Sequence, residues 1–112
     1  MPIAITLMLT TLPDADAARA LAQAALAARV AACVTQQAAH SRYHWQGAIE
    51  EADEVQLLFK TGSARAAALE QLVLAHHPYE TPEILSWQVM ASDAYGQWVN
   101  HETSATQPSV HV

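Results

Sequence analysis

Eight consecutive residues, His76-His77-Pro78-Tyr79-Glu80-Thr81-Pro82-Glu83, gather two imidazoles, two carboxylates and a phenol. Those groups can bind a small ion, exchange protons or dock a partner. Two prolines stiffen the stretch. Pro78 disfavours helix at His77, and Pro82 pushes Thr81 toward an extended conformation. The polar side chains are therefore held in place. A binding site needs that, and so does a plain corner between a helix and a strand; the residues alone leave both readings open.

The elements on either side position this corner. Ile3, Ile5, Leu7 and Leu9 alternate with Ala4, Thr6, Met8 and Thr10, the period of a first strand. Leu12-Pro13-Asp14 ends it, and Asp14 is placed to cap a helix reaching about Arg29. In that helix Ala18, Leu21, Ala22, Ala25 and Leu26 form a mostly alanine stripe suited to close packing on a sheet. Val30 to Gln36 reads as a second strand. Gln37-Ala-Ala-His40 interrupts it and Ser41 to Trp45 resumes it, which predicts one long strand with a bulge or kink. Gln46-Gly47 is a turn signal. The acidic run Glu50, Glu51, Asp53 and Glu54 reads as a solvated loop, since its spacing is not that of a calcium loop. Val55 to Lys60 is a third strand, with Lys60 pairing with an acidic residue or reaching water. Ser63 is placed to cap a second helix. On it Ala66, Leu69, Leu72, Val73 and His76 share a stripe, which predicts His76 on the buried face and His77 off it. Ile84 to Val89 is a fourth strand. Ser92 or Asp93 starts a last helix with Tyr95, Trp98 and Val99 on one side. Thr103 to Val112 reads as a loose tail.

The order β-α-β-β-α-β plus a C-terminal helix predicts an α+β ferredoxin-like sandwich, one domain over residues 1–102 with a flexible tail over 103–112. Helices on one face leave the other sheet face bare, with Met8 and Leu58 expected on it. The 112 residues are 52% hydrophobic and only 14% charged, so an oligomer is expected to cover that face. Tyr43, Trp45, Trp87 and Trp98 could line a ligand pocket; interface anchoring is the favoured role for Trp45 and Trp98. With a formal net charge of -6 and five Lys and Arg, nucleic-acid binding and a polybasic membrane contact are disfavoured. The single Cys33 reads as a small buried hydrophobe. The N-terminus lacks a basic n-region and no run is long enough to span a bilayer, so a cytoplasmic protein is expected. No glycine-rich phosphate loop or nucleophile elbow is legible, so no enzyme is expected.

Ala31-Ala-Cys-Val34, Ser41-x-Tyr43-x-Trp45-x-Gly47, Glu54 through Lys60-Thr61, the eight residues from His76 to Glu83, and Tyr95-x-x-Trp98 occur in one order over residues 3 to about 101. In this the chain resembles CutA, the divalent-cation tolerance family. The resemblance implies a tight homotrimer, similar in plan to the PII signalling proteins, with strands extending across subunit boundaries. It implies binding of divalent metal, copper above all, with His76 and Glu83 as ligands and no organic cofactor. A third ligand in one branch of the family is a cysteine late in the first strand, where this chain has Thr10. Imidazole and carboxylate without a thiolate suit Cu(II) or Zn(II) better than Cu(I). The loop before Ser41 and the stretch from Val89 to Tyr95 are each one residue shorter than usual, and Gln88 stands where proline is common. The alternative reading is a PII-like signalling or scaffold trimer that takes a small molecule or a protein in its inter-subunit clefts.

Overall fold

The structure, a computed structural model, describes residues 1–104. The elements are β1 (Ile3–Leu12), α1 (Ala15–Ala27), β2 (Cys33–Trp45), β3 (Ala48–Gly62), a 3-10 turn (Ser63–Arg65), α2 (Ala66–His76), β4 (Ile84–Ala91) and α3 (Asp93–Glu102). The four strands form one sheet in the order β2-β3-β1-β4. Every neighbouring pair is antiparallel, which is the ferredoxin-like arrangement that the element order predicts.

Helix α1 begins as the sequence reads. The Asp14 side chain accepts a hydrogen bond from the Ala17 backbone N–H at 2.8 Å, satisfying one of the free donors of the first turn. Ala18, Leu21 and Ala25 are buried. Ser63 does not cap α2. Its hydroxyl instead lies 2.9 Å from Thr6 Oγ1, and α2 starts without a side-chain cap.

Strand register decides which residues face the helices. Met8 pairs with Phe59, and Leu9 with Leu58. Met8, Leu12, Leu57 and Phe59 are buried with Leu21, Leu69 and Val73 in the main core, so Met8 lies under α1 and α2. Leu58 lies on the opposite face, as expected. The expectation that they share a face fails because both sides of β1 are apolar, and alternation separates two faces without saying which one the helices cover.

Helix α3 packs on that second face rather than beside α1 and α2. Gly96 touches Ile3, and Gly62 lies beneath Asn100 and Thr103. Within α3, Gly96 and Val99 are buried, whereas Tyr95 and Trp98 stay exposed with ring centroids 5.7 Å apart. Of the tail expected over 103–112, Thr103 is buried. It accepts from the Gly62 N–H at 3.2 Å and donates to the Val99 carbonyl at 2.8 Å. Residues 105–112 lie outside the described residues.

The expected break in β2 is absent. Pairing runs without a bulge from Cys33↔Lys60 to Trp45↔Ala48. The acidic run is strand as well, within β3. The composition changes for a different reason. β1 ends at Leu12, opposite Val55 and Ala38, so the hairpin beyond it has no third strand and both its faces are open to water. Gln46 (φ 49) and Gly47 (φ 81) close the hairpin, both with the positive φ that a type I′ turn requires. The protruding hairpin stretches the molecule to 53 × 31 × 21 Å.

Candidate functional site

The His-Pro stretch lies against the end of β1, fastened by two adjacent threonines. α2 ends at His76, and His77 takes an extended conformation (φ -80, ψ 134), as Pro78 dictates. That turn reverses the expected roles of the two histidines. His76, predicted on the buried face, is exposed, and His77 is half-buried.

His77 uses both ring nitrogens. Its Nδ1 accepts from the Tyr79 backbone N–H at 3.1 Å. Its Nε2 lies 3.0 Å from the Thr11 carbonyl and 3.1 Å from Thr10 Oγ1. The backbone donor at Nδ1 and the carbonyl at Nε2 assign the neutral ring with its proton on Nε2. Burial favours the same state by lowering the His77 pKa. His77 therefore has no lone pair free for a metal, and Thr10, where the resemblance places a cysteine in one branch of the family, is committed to it.

His76 is different. Its Nδ1 lies 3.0 Å from the Leu72 carbonyl, which accepts only if Nδ1 carries the proton. Nε2 then bears a lone pair on an exposed ring. A carbonyl that orients an imidazole in this way is the usual support of a metal-binding histidine. Glu83, the other expected ligand, accepts a hydrogen bond from the Thr11 hydroxyl through Oε1 at 2.7 Å. His76 is thus anchored to α2 and Glu83 to β1, with no hydrogen-bond partner in common. Among the described residues no three His, Cys, Asp or Glu side chains come together in a way that could hold a metal ion. One chain offers an imidazole and a carboxylate, which do not make a complete metal centre.

Glu83 and Tyr79 also form one wall of a cleft of about 1050 Å³, opposite Tyr43, Trp45, Glu50 and Glu54 of the hairpin. The Tyr79 hydroxyl donates to Glu54 Oε2 at 2.8 Å across this cleft. Burial and then the Glu54 carboxylate push the Tyr79 pKa up to about 12. Neither Thr11 nor the Tyr79–Glu54 bridge was legible beforehand. The one available signal for the first was a pair of adjacent threonines near the end of a mostly apolar strand.

On the other side of the hairpin, His40 lies 2.8 Å from Asp53 Oδ1 through Nδ1 and 2.7 Å from Glu51 Oε1 through Nε2. Arg42 Nε is 3.3 Å from the same Glu51. The bonds to Asp53 and Glu51 raise the His40 pKa. Cys33 is only half-buried. Of the two places expected for Lys60, beside a carboxylate or reaching water, the first is not taken among the described residues, and its Nζ lies 4.0 Å from the Cys33 sulfur; burial, and then the nearby Cys33 thiol, raises the Tyr95 pKa.

Known proteins share this fold. A relative from Yersinia pestis, named divalent-cation tolerance protein CutA, is 43% identical over 95 residues, covering 83% of this chain and 80% of its own. The crystal structure of CutA from Xylella fastidiosa matches with a TM-score of 0.87 at 38% identity, over 89% of this chain and 98% of that one. CutA from Synechococcus elongatus matches with a TM-score of 0.88 at 40% identity, over 93% and 95%. The model of the CutA1 divalent ion tolerance protein family matches residues 6–102, a span that holds the His-Pro stretch, both threonines and the whole hairpin, and the chain belongs to that family.

Proposed function

We propose that this chain is a homotrimeric divalent-cation tolerance protein that binds divalent metal through His76 and Glu83. The observation that carries the reading is the His76 ring. Its Nδ1 is tied to the Leu72 carbonyl, which leaves Nε2 as an exposed ligand. Glu83 supplies a carboxylate held in place by Thr11. An imidazole and a carboxylate suit Cu(II) first and Zn(II) second. Remaining positions fall to water or to a neighbouring copy, so binding is of moderate strength. The role is binding rather than catalysis, in keeping with a family described by tolerance and not by a reaction.

Assembly is supported by the second sheet face, and the number three rests on the family resemblance. Leu7 pairs with Lys60 and Trp87, and Leu9 with Leu58 and Leu85. Leu85 is 50% exposed and Trp87 43%. An apolar surface of this kind calls for a partner. A cytoplasmic location fits a single unpaired cysteine, and cell fractionation tests it.

The functional test is Cu(II) and Zn(II) titration of metal-stripped protein, with the number of chains per particle read by native mass spectrometry. Three chains per particle, and one metal per chain that is lost in His76→Ala and Glu83→Gln, support the proposal. Equal affinity in wild type and both variants refutes the ligands, and a monomer at micromolar concentration refutes the assembly.

A further inference from the structure

The hairpin has a root where it can bend. Leu12, the last residue of β1, lies opposite Val55, and Val55 lies opposite Ala38. Beyond them β2 and β3 have only each other. A two-stranded ribbon in water is marginal by itself, so whatever holds its first pairs decides its order. Those pairs are Ala39↔Glu54 and His40↔Asp53, whose side chains point to opposite faces. Each face carries a fastener. On the cleft side the Tyr79 hydroxyl donates to Glu54 Oε2 at 2.8 Å and ties the ribbon to the His-Pro corner. On the other side the His40 ring stands between two carboxylates, 2.8 Å from Asp53 Oδ1 and 2.7 Å from Glu51 Oε1.

Protons affect the two fasteners differently. Tyr79, with its pKa pushed up to about 12, donates throughout the neutral range. His40 can donate through both nitrogens only as the imidazolium. A neutral ring has one N–H and turns a lone pair toward the other carboxylate, which replaces a charge-assisted bond by a repulsion. The charged groups around the ring are Asp53 and Glu51 across the strand pair and Arg42 on its own strand. Arg42 Nε is 3.3 Å from Glu51 Oε1 and stays charged in either state. The bonds to Asp53 and Glu51 raise the His40 pKa above 6.5, so the ring is charged below about pH 6.5 and loses its proton as the pH climbs past that point.

We propose that the root of the hairpin is a proton-sensitive latch. With both ring nitrogens protonated, His40 ties β2 to β3 on the face opposite the cleft. When it loses one proton that face loosens, while the Tyr79–Glu54 bridge keeps the cleft side fastened. His40, Glu51 and Asp53 belong to one chain, so the latch is present whether or not a neighbouring copy lies against the hairpin. It uses neither the His76 ring nor any bound ion, and so stands apart from the metal reading.

The test uses the full-length protein as it assembles and has two readouts. Nitrogen NMR of the histidine rings, assigned with His40→Gln, reports the protons on His40. Hydrogen exchange of the hairpin amides, corrected for its intrinsic pH dependence, reports local opening. At about pH 6 both His40 nitrogens should carry protons, and by about pH 8.5 one should have lost its proton. Over the same step, exchange in the wild type should quicken by about two- to fivefold, the range of exposed ion pairs. The increase should be larger in Tyr79→Phe, where the second fastener is gone, and absent in His40→Gln. His44→Gln, on the same strand, should respond as the wild type does. Should Tyr79→Phe melt early, the ring protons and the comparison with His40→Gln carry the test. Three outcomes overturn the proposal: a His40 ring already neutral at about pH 6, an equal quickening in His40→Gln, or a folded Tyr79→Phe protein whose response is no larger than that of the wild type.

Discussion

Gly96→Ala sets two well-known effects against each other, and the structure decides between them. In a helix interior alanine is better than glycine by about 1 kcal/mol. Gly96 lies inside α3, so propensity alone predicts a gain. Packing predicts the reverse. A Cβ on Gly96 would sit 2.7 Å from Ile3 Cβ and 3.1 Å from Ile3 Cγ2, nearly an ångström inside normal contact distance. The obstacle is the Cβ of a β1 residue, which no rotamer change moves. Either α3 lifts or β1 shifts, and overpacking of this kind costs about 1–3 kcal/mol. Subtracting the propensity gain leaves a net loss of about 1 kcal/mol, or some 4 °C in Tm for a domain of this size. The assay is urea denaturation at one fixed protein concentration, because assembly adds to apparent stability. The same substitution in an Ile3→Gly background should become neutral or stabilising, since the Cβ that blocks it is gone. A more stable Gly96→Ala protein, or an equal loss in both backgrounds, would refute the placement of α3 on the second face.

Three other outcomes are expected. Thr11→Val keeps the shape of the side chain but removes the donor to Glu83, so stability at neutral pH should drop by about 1–2 kcal/mol, with Thr11→Ser restoring it in the same denaturation assay. Asp14→Ala removes the α1 cap and should cost about 1 kcal/mol, whereas Asp14→Asn, which still accepts from Ala17, should cost much less. His40 has its pKa raised above 6.5 by Asp53 and Glu51. A raised native pKa gives stability that is complete below about pH 6.5 and lost as pH climbs through the native value. Hydrogen exchange at the hairpin amides, corrected for its intrinsic pH dependence, should therefore quicken across that window in wild type and stay flat in His40→Gln.

Much of the fold was legible because hydrophobic period and turn chemistry agree locally. Alternation located β1, the alanine stripe located α1, and Gln46-Gly47 located the hairpin turn. Long-range choices were not legible. Nothing local tells a strand with two apolar faces which one α1 and α2 will cover, so the expectation for Met8 falls on the wrong side. Likewise Gln37 to His40 looked like an interruption because polarity normally ends a strand. Here it marks where β1 stops while β2 and β3 continue as a solvated ribbon. The acidic run is strand for the same reason.

The two histidines show how one backbone rule can reverse a reading based on period. Helical spacing carried the buried stripe of α2 through Val73 to His76, with His77 on the outside. Spacing holds only while the helix does, and Pro78 forces the preceding residue into extended geometry. The first non-helical side chain swings inward, and the last helical one is left at the rim. The result divides the labour between neighbours. His77 commits both nitrogens to Tyr79, Thr10 and Thr11 and fastens the corner to β1. His76 commits one nitrogen to its own helix and keeps the other free. Thr10 fits the same division. Where a cysteine would offer a thiolate, a threonine hydroxyl is a poor metal ligand but a good partner for a neutral imidazole. Thr10 thus serves the end of β1 as a fastener, and in the function proposed above coordination falls to His76 and Glu83.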